Sequence, residues 1–263
     1  MKIVSAEQAS GLSVAIAGAP GAGKTHVGAQ TRGQVWLLTE SNGLGTIREG
    51  KDKLAFAEKP SDLLEKLDES IPLVIPIYKG SPKEKTKILL AMCKFIKEKA
   101  VEIKAAGRST VIFDSLSDYN SFLVEGETPE DGSKIDFDAW QRIKVNTERP
   151  IEALKHITNA GLDFITIFGL KATDAAMGGS IINGGYRPLI QGGARDTFLF
   201  KFMSCCTINS SAKKTKEGIA VERTAAFIGK KGDLFKPKGD LQIESTVDFY
   251  EWKAKAFPNG ETK

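Results

Sequence analysis

An apolar run at residues 12–17 breaks into Gly18-Ala19-Pro20-Gly21-Ala22-Gly23-Lys24-Thr25, and helix-compatible sequence follows. The pattern GxxxxGK[ST] between a strand and a helix describes a phosphate-binding loop, and it commits the chain to an α/β architecture. Its glycines let backbone N–H groups curl around a phosphate, where a Cβ would clash or forbid positive φ. The helix that opens at the loop adds unpaired N–H donors and a partial positive charge. Lys24 is placed to reach the β- and γ-phosphates as a point charge, and the Thr25 hydroxyl suits Mg2+. His26 closes the stretch expected to contact the nucleotide; like His156, it is read as a structural or surface histidine rather than a catalyst. A glycine-rich turn that happens to hold a lysine is the alternative, and the strand–helix context disfavours it.

Strand and helix patterns alternate along the chain, which implies a mostly parallel sheet covered on both faces. Strands are expected at 12–17, 34–39, 110–113 and 164–168, with an apolar extended piece at 73–78 interrupted by Pro76. Ser81-Pro82-Lys83-Glu84 is a capping box with proline at the first helical position, and it launches a helix that runs to 106 and stops at Gly107. Further helices are expected at 61–70, at 136–160 with a kink or division at Pro150, and at 245–257. Residues 126–134 read as a surface loop, and 178–193 as a loop dense in glycine. Segments 198–210 and 219–229 read as an antiparallel strand pair joined by a basic turn at 212–218. With 263 residues and neither an internal repeat nor a dividing linker, one domain is expected, its core at about 10–230 and a C-terminal extension at about 231–263.

Composition narrows the setting. A net charge of +4, from 37 Lys+Arg against 33 Asp+Glu, is too slight to demand a nucleic-acid partner and does not oppose one. Cys93, Cys205 and Cys206 lack metal or redox spacing and read as small buried residues of a reducing compartment. No window approaches the ~20 apolar residues of a membrane span, and the N-terminus lacks a signal-peptide core. The expectation is a soluble cytoplasmic protein with no membrane partner.

Two carboxylates complete the pattern. Thr110-Val-Ile-Phe-Asp114 is an apolar strand ending in aspartate, placed to hold Mg2+ through water beside a γ-phosphate. Glu40 ends the second strand on the same sheet edge as Lys24 and Asp114, where a carboxylate can polarise an attacking water. A strand-end turn at Asp114 and a loop ion pair at Glu40 are the plainer alternatives.

Together these motifs resemble the RecA/RadA superfamily of P-loop ATPases, in which a glutamate and a glycine-containing turn follow the second strand, here Thr39-Glu40-Ser41-Asn42-Gly43. The metal-site strand of that superfamily reads as apolar residues followed by Asp-Ser, here Val111-Ile112-Phe113-Asp114-Ser115. More narrowly the chain resembles compact bacteriophage ATPases of single-strand annealing and recombination. The resemblance implies a RecA-like P-loop NTPase fold, ATP and Mg2+ as cofactors, ATP hydrolysis, single-stranded DNA as partner, and assembly into rings or filaments. Lys24, Glu40 and Asp114 are then catalytic, with Thr25 and Asp114 serving the metal. One departure stands out: Phe164-Ile-Thr-Ile-Phe168 leads to Gly169-Leu170-Lys171, without the amide or imidazole that often senses the γ-phosphate there. Lys171 and Thr173 are the nearest substitutes.

Residues 178–193 occupy the place of the mobile DNA-binding loop of these relatives. Tyr186 offers a base-stacking face, while Arg187, Arg195 and Lys171 can neutralise phosphates. An Ω-type surface loop or a flap over the nucleotide is the equal alternative. Lys230 and Lys231, or Arg223, are candidates to reach the γ-phosphate of a neighbouring subunit; a solvated basic hairpin is the simpler account. Two other functions share the same loop: a helicase loader or adaptor switch, and a small-molecule phosphotransferase, for which no arginine-rich lid is found between Asp114 and residue 178.

Overall fold

The computed structural model describes residues 11–49, 51, 53–65, 71–177, 180–215, 218–228 and 244–245. Its centre is a sheet of β1 (Ser13–Gly18), β2 (Gln34–Leu38), β3 (Ala55–Phe56), β4 (Leu73–Pro76), β5 (Thr110–Asp114), β6 (Asp163–Met177), β8 (Ser204–Thr215), β9 (Gly218–Ile228) and β10 (Glu244–Ser245). Their spatial order is β10-β9-β8-β1-β6-β5-β2-β4-β3. From β8 to β3 every neighbour is parallel. At the other edge β9 pairs antiparallel with β8, and β10 with β9. This is the expected α/β fold, a mostly parallel sheet flanked by helices with antiparallel strands at one edge.

Strands β1, β2 and β5 are buried along their whole length, which is why they read as unbroken apolar runs rather than alternating ones. Side-chain alternation splits them between two cores. Ala15, Ala17, Val35, Leu37, Val111 and Phe113 face one core; Val14, Ile16, Trp36, Leu38 and Ile112 face the other. The adjacent cysteines follow the same rule, Cys205 entering the first core and Cys206 the second.

Helices α1 (Lys24–Ala29) and α2 (Gly43–Arg48) contribute to the second core, and α3 (Pro60–Glu65) follows β3. The first core is covered by α4 (Pro82–Glu98), α5 (Ala100–Ala105), α6 (Leu116–Glu127) and α7 (Phe137–Leu154). The capping box at α4 is formed: Glu84 N–H donates to Ser81 Oγ at 3.4 Å, and Ser81 N–H to Glu84 Oε2 at 2.7 Å.

Several boundaries differ from expectation. The helix expected to reach 106 is interrupted at Lys99, whose φ of −104° departs from helix, so α4 and α5 are separate. Gly126 lies in the last turn of α6 rather than in a loop. Residues 155–160 form a 3-10 segment that ends at Gly161 in the left-handed region. Phe198–Lys201 is also 3-10, and β8 begins at Ser204 and runs through Ala212 to Thr215, so most of the supposed basic turn is strand. The largest correction concerns 178–193. Strand β6 continues to Met177, and β7 (Ser180–Pro188) returns antiparallel beside it as a hairpin arm. Pairing with β6 sustains extended backbone there despite the glycines. Residues 66–70 of the expected third helix and 246–257 of the terminal one lie outside the described residues.

Pro150 does not divide α7. Proline has no N–H for the carbonyl four residues back, here that of Asn146. Tyr119 of α6 takes that place, its hydroxyl donating to Asn146 O at 3.2 Å. The Tyr119→Phe variant should therefore lose about 1–2 kcal/mol of stability, because the freed carbonyl is left with no donor in a buried setting. Denaturant unfolding with an unchanged slope and a lowered midpoint is the expected result.

Candidate functional site

A cleft of about 690 Å³ opens at the C-terminal edge of the sheet, and Gly21, Lys24, Thr25, Glu40, Asp114 and Asp118 are among its lining residues. Parallel sheets present their strand ends and following loops at that edge, where ligands bind. Here β6 lies between β1 and β5, so the loop after β1 and the aspartate of β5 approach one another across an intervening strand.

Gly18 pairs in register with Ile208, and a Cβ on it would sit 2.8 Å from the Ile208 carbonyl oxygen. Gly21 and Gly23 have φ of 76° and 99°, the left-handed conformation that turns successive N–H groups toward one side. Lys24 folds back on this loop, its Nζ donating to Ala19 O at 2.9 Å. Burial lowers the Lys24 pKa, against the opposing pull of Asp114, Asp118 and Glu40.

Thr25 Oγ1 donates to Asp114 Oδ2 at 2.7 Å. Asp114 is only 4% exposed. Burial pushes its carboxyl up to about 6; the Thr25 hydrogen bond opposes that, Glu40 and Asp118 add to it, and Lys24 opposes it. A buried carboxylate beside a hydroxyl, short of positive charge, is the hard-oxygen setting that Mg2+ fits. Glu40 lies two residues beyond β2. Loss of solvent raises its pKa, and Asp118 raises it further, while Asn42, which donates to Glu40 Oε2 at 3.4 Å, and Lys24 act the other way.

The sequence reading missed Asp118. Ser115 caps α6 by accepting from Asp118 N–H at 3.2 Å, and its hydroxyl donates to Asp118 Oδ2. Thr39 ties this turn to β2: its hydroxyl accepts from Ser115 N–H at 2.6 Å and lies 3.4 Å from Asp118 Oδ2, while its N–H donates to Asp114 O at 2.7 Å. The Asp114–Ser115 peptide is cis. The readable signal was Ser115-Leu-Ser-Asp118, a cap-like spacing directly after a strand-ending aspartate.

His26 also lines the cleft; it is exposed, with Nδ1 3.8 Å from Glu49 Oε2. The remaining candidates lie elsewhere. The end of the short core part of β6 carries no sensing amide; instead Gly169 N–H donates to Ser117 Oγ at 2.8 Å and Gly169 O accepts from Leu189 N–H at 2.8 Å. Lys171 is exposed and stands opposite Arg187 in the β6–β7 register, with Ala172 opposite Tyr186. Arg195 lies in the 3-10 turn Gly193–Asp196. Arg223 pairs with Ser210 in the β8–β9 register. Lys230 and Lys231 lie outside the described residues.

Residues 10–231 match the model of a family described as the AAA domain. Among solved structures, flagellar accessory protein FlaH from Methanocaldococcus jannaschii is similar, at 12% identity over 91% of this chain and 91% of that chain, with a TM-score of 0.42. No curated protein matches the chain. No helix among the described residues is long and apolar enough to cross a membrane.

The Asp114 shift has a sign that thermal unfolding can read. Its ordinary value of 3.8 rises to about 6 in the fold, so the native state holds this proton more tightly than the unfolded chain. Native stability therefore falls as pH rises from about 4 to 6, by roughly 2–3 kcal/mol, and that deficit persists above pH 6. Without nucleotide or Mg2+, Asp114→Asn should unfold at a higher temperature than wild type at pH 7, and the difference should vanish near pH 4.

Proposed function

This chain belongs to the AAA domain family, and from that premise we propose that it is an Mg2+-dependent ATPase whose turnover is coupled to single-stranded DNA. The observation that carries the reading is the convergence of Lys24, Glu40 and the Thr25–Asp114 hydrogen bond on one cleft behind a glycine loop. On binding ATP, Lys24 exchanges the Ala19 carbonyl for the β- and γ-phosphate oxygens. The Thr25 hydroxyl and Asp114 would hold Mg2+, which would supply charge neutralisation at the phosphates. Glu40 orients a water and accepts its proton as the water oxygen bonds to the γ-phosphorus. The bond to the β–γ bridging oxygen breaks, and ADP and phosphate leave. The raised Glu40 pKa fits this task, since a general base works best with a pKa moved toward the working pH.

Single-stranded DNA is the proposed partner because the hairpin beside the cleft sets Lys171 opposite Arg187, next to Tyr186, with Arg195 in the turn that follows. Assembly into a ring or filament, with Lys230, Lys231 or Arg223 reaching a neighbour's nucleotide, belongs to the same reading. So does a role in phage recombination or annealing, which rests on the motif resemblance.

Phosphate release with and without single-stranded DNA tests the proposal. Lys24→Ala should lose nucleotide binding. Glu40→Gln should keep it and lose turnover by about 10²–10⁴-fold. A Glu40→Gln protein with undiminished kcat would remove Glu40 from the mechanism. Turnover indifferent to saturating DNA, together with no salt-sensitive DNA binding, would remove the DNA.

A further inference from the structure

A second cavity, about 470 Å³, lies between α6, α7 and the foot of the β6–β7 hairpin. It shares a wall with the nucleotide cleft: Ser117, Asp118 and Leu189 line both. The chemistry beyond that wall is different. Trp140 of α7 is half-buried and lies against Gly192, where a Cβ would come within 3.0 Å of the indole ring. Leu189 is 39% exposed, a large apolar side chain open to solvent at the cavity mouth. Lys171 and Arg195 line the same space.

The cavity thus combines an aromatic ring, an aliphatic wall and two basic residues, Lys171 of β6 and Arg195 of the turn after β7. Unlike the nucleotide cleft, it has no glycine loop among its lining residues to cradle a triphosphate. A flat apolar body carrying a single negative charge suits it.

We propose that this cavity binds one base-and-phosphodiester unit of single-stranded nucleic acid, the base against Trp140 and Leu189 and the phosphate on Lys171 and Arg195; this rests on the DNA reading above and gives it a pocket. The occupant then lies on the backbone of 189–192, which α6 already holds. Gln191 N–H donates to Asn120 Oδ1 at 2.7 Å, and Gly169, bonded to Leu189, donates to Ser117. Asn120 and Ser117 belong to the same helix that starts at the Asp114–Ser115 turn of the nucleotide cleft.

Binding of labelled oligo-dT, of an abasic oligomer of equal length, and of dTMP separates the possibilities. Wild type should bind oligo-dT more tightly than the abasic strand by about 5- to 100-fold, the range of stacking one base on an aromatic ring. Trp140→Ala should abolish that preference and leave abasic binding unchanged. Lys171→Ala, at an exposed position that folding does not depend on, should weaken both oligomers and lower the salt slope by about one. If Trp140→Ala misfolds, the Lys171→Ala salt slope carries the test. A Trp140→Ala protein that folds and keeps its preference for oligo-dT, or a Lys171→Ala protein with the wild-type slope, overturns the pocket while the DNA reading stands. dTMP bound as tightly as oligo-dT overturns the polynucleotide assignment in favour of a free nucleotide. Wild type that binds neither oligomer overturns the DNA reading and the pocket together.

Discussion

The hydrogen bond from Thr25 Oγ1 to Asp114 Oδ2 spans 89 residues of chain and crosses an intervening strand. It forms only if β1, β6 and β5 are in register, because a slip of one residue would carry Asp114 to the other face of the sheet. The buried apolar runs fix that register. Ala15 and Ala17 must share a core with Val111 and Phe113, and Val14 and Ile16 with Ile112. The packing that stabilises the sheet therefore also sets the distance between the two residues of the candidate metal site.

That site is electrostatically unbalanced. Three carboxylates, Glu40, Asp114 and Asp118, gather around the half-buried ammonium of Lys24. Burial raises both Asp114 and Glu40, and Lys24 offsets only part of it. The hydroxyls of Thr39 and Ser115 hold Asp118, and the Thr39 N–H holds the Asp114 carbonyl, by short-range bonds rather than by charge.

The sheet and its chemical edge were legible because their signals are local and strong. Glycines beside Lys24 need particular backbone angles, and β5 is an uninterrupted apolar run ending in a carboxylate. What stayed illegible depends on partners distant in sequence. Pro150 reads as a helix breaker, but Tyr119 supplies the donor that the helix lacks. The glycines of 178–193 read as a loop because extended backbone there is sustained by pairing with β6, which no local window contains. Beyond its cap-like spacing from Ser115, Asp118 carries no local mark that singles it out; its weight comes from Thr39, 79 positions away.

Helix α6 is where these strands of argument meet. Its first turn presents Asp118, beside the Ser115 cap, to the cleft and holds Gly169 through Ser117; Asn120, one turn on, holds the backbone of Gln191, and Tyr119 between them ties α7. The foot of the hairpin is therefore bonded to the same helix whose N-terminus lines the cleft, through side chains of α6 rather than through a side chain at the end of β6. Motif comparison at residues 164–171 has no means of registering those two bonds, because their accepting oxygens belong to residues 117 and 120.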